Sequence, residues 1–184
     1  MYSSHGKYIP LEGDAATKAH LSDPKNHAYF IINQINKDKI YDKWLGNKTD
    51  LVILDIGANI GLFSLYASDS ARRIIAVEPT PEHIHIFEQL AKDRPNIELV
   101  KAALTPTDGP VSFSIIESNP TMNSYAYPSP KTVEVDGISL ASLFERYNIE
   151  HVDFAKIDIE GCEKIALTVD TLRPVFDKLD GLFV

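Results

Sequence analysis

Three short stretches have the residue types and spacing to do chemistry. Asp55-Ile56-Gly57-Ala58-Asn59-Ile60-Gly61 sets a carboxylate two positions ahead of a glycine, and an asparagine between two glycines. It follows the apolar run Leu51-Val52-Ile53-Leu54 and precedes Leu62-Phe63-Ser64-Leu65-Tyr66-Ala67. That order predicts a buried strand, a glycine turn and an amphipathic helix. Glycine lets the chain turn sharply and lets a ligand approach the backbone, because no Cβ intervenes. The second stretch is Glu78-Pro79, which closes the apolar run Arg73-Ile74-Ile75-Ala76-Val77. A carboxylate at the tip of a second strand accepts hydrogen bonds from both hydroxyls of a ribose. The third is Lys156-Ile157-Asp158-Ile159-Glu160-Gly161, at the end of a further apolar strand. Strand alternation puts Lys156, Asp158 and Glu160 on one side. Charges there are costly unless paired or used. The plainer readings are a structural strand-to-helix turn, a solvated Glu78, and a Lys156–Asp158 pair with Glu160 as an acid at a helix start.

The dinucleotide fingerprint Gly-x-Gly-x-x-Gly seats a pyrophosphate on a helix N-terminus. Here Ala58-Asn59 replaces its second glycine, and Asp55 at the strand tip repels phosphate but suits a cation. S-adenosylmethionine carries a sulfonium and an α-ammonium and no phosphate, so the residues favour it over NAD. Methyl transfer is an in-line displacement that depends on positioning the acceptor against the methyl group. An alcohol acceptor also loses a proton, and Asp158 or Glu160 is placed to take it. A metal would serve by acidifying the hydroxyl, but no dedicated ligand cluster stands in the sequence. His83 and His85 read as ordinary surface or boundary residues, and His27 and His151 are isolated. Cys162 reads as a small packed residue.

These groups need elements to hold them. Residues 1 to 24 are polar and irregular, and apolar spacing from His27 to Trp44 predicts one helix packed on the domain. Pro79-Thr80-Pro81 leads into a helix near Glu82 to Lys92. Ile97 to Ala103 reads as a third strand, Val111 to Ile116 as a strand pairing back, and Glu117 to Pro130 as a long loop of the kind that forms lids. A short strand from Lys131 to Val135 and a helix from Ser139 to Tyr147 follow. Phe154 to Ile159 is the fourth core strand, and Gly161 opens another helix. The chain stops in Leu179-Asp180-Gly181-Leu182-Phe183-Val184, which reads as a fifth strand cut short.

The segments VILDIGANIGLFSLYAS, IIAVEPTPEHIHIFEQL, IELVKAALTPTDGPVSF and FAKIDIEGCE, in that order, resemble the FkbM family of S-adenosylmethionine-dependent methyltransferases. The resemblance runs from about Leu51 to the C-terminus. It implies an α/β, Rossmann-like class I methyltransferase fold with a mostly parallel sheet in the order 3-2-1-4-5. The two strands that usually complete that fold would be missing. The length suits one domain, with an N-terminal segment, 1–50, whose helix packs on the core, and a cofactor-binding region, 51–184. The resemblance places Asp55, Gly57, Ala58, Asn59 and Gly61 along the methionine half of the cofactor, Glu78 and Pro79 at the ribose, and Ala102 and Ala103 at adenine. Asp158 and Glu160 would be catalytic. The implied reaction is O-methylation of a sugar, glycan or other small-molecule hydroxyl. Two rivals are an NAD-dependent oxidoreductase and a non-catalytic module that binds a protein partner.

The 184 residues carry a formal net charge of -8, which argues against nucleic acid as the main substrate. No apolar run is long enough to span a membrane, and no secretory signal is visible. A single cysteine excludes an intrachain disulfide framework, so a reducing, cytoplasmic compartment is expected. The incomplete sheet edge at Val184 would suit pairing with a second copy.

Overall fold

Strand β1 (Leu51–Ile56) is buried at every position and forms the centre of the molecule. A strand covered on both faces reads as a continuous apolar run, and Asp55 is the one charge in it. The computed structural model describes residues 27–35, 39–116 and 123–184. On one side of β1 lie β2 (Ala71–Val77) and β3 (Ile97–Val100). On the other lie β7 (Phe154–Ile157) and β8 (Leu182–Phe183). All pairs are parallel, in the spatial order β3-β2-β1-β7-β8. This is the 3-2-1-4-5 order expected of a Rossmann-like methyltransferase sheet. The register sets Asp55 opposite Ala76 on one side and Lys156 on the other.

Alternation along β1 sorts the core. Val52, Leu54 and Ile56 join Ile75, Val77, Leu143 and Phe144 on one face. Leu51 and Ile53 join Phe63, Tyr66, Ile74 and Phe154 on the other. Around the sheet lie α1 (His27–Asn33), α2 (Asp42–Leu45), α3 (Leu62–Ala67), α4 (Pro81–Leu90), α5 (Leu140–Arg146), α6 (Glu163–Ala166) and α7 (Val169–Leu172). Pro81 opens α4, where its fixed φ fits and its missing N–H has no helical partner to lose. Trp44 of the α2 segment stacks on Phe154 at 5.3 Å between ring centroids.

A second sheet, β4 (Ala103–Leu104), β6 (Thr132–Ile138) and β5 (Gly109–Ser114), is ordered β4-β6-β5. Several local expectations change. The segment expected as one helix from His27 to Trp44 is two helices, with Lys39 at φ +53 between them, a left-handed angle no helix accommodates. The expected third strand ends at Val100; the chain turns there, and Ala103–Leu104 pairs with β6 instead. Strand β6 runs on through Asp136 and Gly137 to Ile138. Both are poor strand formers, yet Gly137 faces Gly109 and Ala103 across the ladder. The helix expected to open at Gly161 starts at Glu163. Residues 1 to 24, and residues 117 to 122 of the expected lid loop, lie outside the described residues, as does the His27 side chain.

Candidate active site

A cavity of about 170 Å³ opens at the carboxyl ends of β1, β2 and β7. This is the crevice where open parallel sheets take ligands. Its wall includes Gly57, Ala58, Asn59, Glu78, Pro79, Ala102, Ala103, Asp158 and Glu160, all expected from sequence. Two further expected residues stand behind the wall. Asp55 is 0% exposed beneath it. Gly61, at φ +84, lies against α4, and a Cβ there would stand 2.4 Å from the Phe87 ring.

The glycine turn is shaped by its neighbours. Gly57 sits at φ +75, and a Cβ would meet the Asp158 backbone oxygen at 1.8 Å. Glycine is therefore required where the ends of β1 and β7 converge. The Gly57 and Ala58 N–H groups donate to the Val77 carbonyl at 2.9 and 3.0 Å, and Gly61 donates to the Ala58 carbonyl at 2.9 Å. Asn59, at φ +54, donates its N–H to Glu78 Oε2 at 2.9 Å, and its own Oδ1 accepts from the Ile60 N–H at 2.7 Å.

Glu78 is 5% exposed. Its Oε1 accepts the Thr80 N–H at 2.9 Å and faces His83 Nδ1 at 3.2 Å. Burial pushes this carboxyl up, but His83 and Thr80 outweigh it and hold the pKa below the usual range. Glu78 is thus ionised, fixed and on the cavity wall.

Beneath the turn lies a buried pair. Asp55 accepts from Ser64 Oγ at 2.6 Å, and Lys156 Nζ stands 3.4 Å from Asp55 Oδ1, 3.2 Å from the Gly57 carbonyl and 3.7 Å from Asp158 Oδ2. Burial works against the ammonium, but Asp55 and Asp158 outweigh it and raise its pKa. Burial also raises the Asp55 carboxyl, with Lys156 and Ser64 pulling the other way. The cation that meets Asp55 is therefore Lys156 of the chain itself.

Past β7 the strand alternation no longer applies, because β7 ends at Ile157. Asp158 is exposed and Glu160 half-buried in a turn, Glu160 at φ +53. Burial, then Asp158 and Glu163, push the Glu160 carboxyl up. Ser124 donates to the Glu160 carbonyl at 3.1 Å and lies 3.0 Å from Cys162 Sγ. With its one proton so used, Ser124 accepts from the thiol, and Cys162 is a packed, bonded residue 1% exposed.

Sequence reasoning passed over Lys156 as Asp55's partner, His83 as Glu78's, and Tyr41, a cavity-wall residue 4.5 Å from the Phe63 ring centroid. Only the Asp55–Lys156 pair left a signal, since both stand one residue before the end of neighbouring parallel strands. His85 is exposed. His151 lies at the opposite end of β7, exposed, 3.5 Å from Asp153 and 3.4 Å from Asp180. Among the described residues no helix is long and apolar enough to cross a membrane.

Comparison with known proteins adds the family. AmbE, the AMB antimetabolite synthetase of Pseudomonas aeruginosa, is 29% identical over 117 residues, 61% of this chain and 6% of that protein. Methyltransferase 1 of Beauveria bassiana is 29% identical over 176 residues, 81% of this chain and 68% of that protein. The chain therefore spans only a small fraction of the synthetase and about two thirds of the fungal protein. The crystal structure of methyltransferase FkbM from Methylobacillus flagellatus superposes with a TM-score of 0.47 and 15% identity, over 70% of this chain and 30% of that one. The family model for the methyltransferase FkbM domain matches residues 55–177, well over half of the 184. On that match, the chain belongs to the FkbM methyltransferase family.

Proposed function

We propose that the cavity binds S-adenosylmethionine and that the domain moves its methyl group to a hydroxyl oxygen of a small acceptor, sugar and glycan hydroxyls included. The observation that carries this is the buried, ionised Glu78 at the tip of β2, held by three donors beside the glycine turn. Its Oε2 keeps an open lone pair, which suits a ribose hydroxyl. The turn also supports a phosphate-free cofactor. From Gly57 to Gly61 each backbone N–H already has an acceptor within the protein, so none of these is free to cradle a pyrophosphate.

In this reading Glu78 and Pro79 hold the ribose, Gly57 to Asn59 line the methionine half, and Ala102 and Ala103 lie along adenine. The cofactor supplies an electrophilic methyl group. Lys156 keeps the turns after β1 and β7 together. Glu160, whose carboxyl is made more basic by burial and by Asp158, takes the acceptor proton, and the exposed Asp158 orients the acceptor.

Calorimetric titration with S-adenosylhomocysteine, with NAD as control, tests the cofactor. Binding of the former alone supports the reading, and binding of NAD alone overturns it. Glu160→Gln is expected to keep S-adenosylhomocysteine affinity and to lose turnover by a hundredfold or more, on the order of what a general base contributes. Full turnover in that variant would remove Glu160 as the base.

A further inference from the structure

A carboxylate that is to meet a ribose diol gains from being fixed before the ligand arrives. Glu78 is fixed from three directions: Asn59 N–H on Oε2, Thr80 N–H on Oε1, and His83 Nδ1 on Oε1 at 3.2 Å. The first two are backbone groups, present whatever the side chain. The third depends on residue type. His83 lies in the first turn of α4, and its ring reaches back over Pro79-Thr80 to a residue outside the helix. Its side chain is 11% exposed and shares the cavity wall with Glu78.

An ionised carboxylate only accepts, so the proton between them sits on Nδ1. Neutral and protonated imidazole both donate from that atom, so the hold on Glu78 does not need the histidine charge. An apolar residue would fill the same space on α4 and leave Oε1 one donor poorer. The carboxylate would then be held only by its two backbone donors, one on each oxygen, and less tightly at the ribose position.

We propose that His83 is a positioning residue for the cofactor, fixing the Glu78 carboxylate so that the open lone pair of Oε2 meets a ribose hydroxyl. The proposal rests on the S-adenosylmethionine reading above.

The test is calorimetric titration of S-adenosylhomocysteine into wild type, His83→Leu and His83→Asn at neutral pH, with melting temperatures measured alongside. Leucine keeps the volume and removes the donor. Asparagine places an amide N–H near the position of Nδ1. Expected is an affinity loss of about tenfold in His83→Leu, the scale of one charge-assisted hydrogen bond. His83→Asn should recover most of it, with all three proteins melting close together. A His83→Leu variant that binds like wild type overturns the proposal, as does a His83→Asn variant as weak as His83→Leu. If neither variant melts cooperatively, the imidazole is a structural part and the proposal falls. In each of those cases wild-type binding leaves the cofactor reading standing. A wild type that binds no S-adenosylhomocysteine overturns both.

Discussion

Lys156 makes a fully buried Asp55 tolerable, and theirs is the most buried ion pair among the described residues. Removing one partner of such a pair leaves an uncompensated buried charge, at a cost of about 3–5 kcal/mol. Lys156→Met should lose about that much in urea unfolding. Its pH dependence has a definite sign. Burial already raises the Asp55 carboxyl while Lys156 pulls it down, so without the ammonium it rises further. A folded pKa above the unfolded one means that the native state holds the proton more tightly. That contribution is full below the unfolded carboxylate value and is lost as pH rises through the folded value. The deficit of Lys156→Met against wild type should therefore widen as pH rises above the unfolded carboxylate value; a constant deficit would mean that Asp55 finds another partner. Tyr41 is the opposite case. Its hydroxyl is buried, its pKa is pushed up to about 12 chiefly by that burial, and no described residue bonds it. Tyr41→Phe should be neutral or stabilise by up to about 1 kcal/mol. A clear loss of stability would show that the hydroxyl is partnered in the folded protein. At this scale sequence reasoning found the carboxylates and glycines, whose chemistry is unusual where they stand. It passed over His83, because a residue five positions after Glu78 becomes its neighbour only through the Pro79-Thr80 turn.

The elements that carry the site depend on local tethers. Helix α5 begins at Ser139, whose Oγ accepts the Ser142 N–H at 3.2 Å, while Asp108 Oδ1 accepts the Ser139 N–H at 2.8 Å. Asp108 also pairs with Arg146 in the last turn of the same helix. One carboxylate between β4 and β5 thus ties both ends of α5. Ser139→Ala should cost about 1 kcal/mol, the usual worth of an N-cap side chain, read as a lower denaturation midpoint at constant m. A loss below about 0.3 kcal/mol would mean that Asp108 alone fixes the helix start. Continuous apolar runs made the central strands of the main sheet legible, because both of their faces are covered, and apolar periodicity made α5 legible, because it buries one face. The boundaries that failed were set by contacts distant in sequence. Gly137 extends β6 because a Cβ would meet Thr105 Oγ1 at 2.6 Å and the Gly109 carbonyl at 2.7 Å. Nothing in the stretch Lys131 to Val135 encodes that crowding.

At the level of the whole molecule, three regions meet at one cavity: the ends of β1, β2 and β7, the second sheet through Ala103, Leu104 and Phe113, and the N-terminal segment through Ile31, Ile35, Ile40 and Tyr41. The strand order was legible because the motifs at the strand tips carry the family resemblance, which implies that order. The N-terminal contribution was not, because those isoleucines fit an amphipathic helix on any core. A ligand filling this cavity joins segments far apart in sequence, and its binding energy adds to their joint stability. At a concentration 100 times its Kd, a ligand of the native state alone adds about 2.7 kcal/mol. For a chain of this size each kcal/mol moves the melting temperature by about 2–4 °C. S-adenosylhomocysteine at that excess should therefore raise the midpoint by about 5–10 °C, and amide exchange from Ile31 to Ile35 should slow together with exchange at Gly57 to Ile60. Gly57→Ala forces the β1 and β7 ends apart, so it should both melt lower and lose most of the ligand shift. A ligand shift that survives unchanged in Gly57→Ala would place the bound molecule away from this turn. Slowed exchange at Gly57 to Ile60 alone would leave the N-terminal segment as a neighbour of the cofactor site and no part of it.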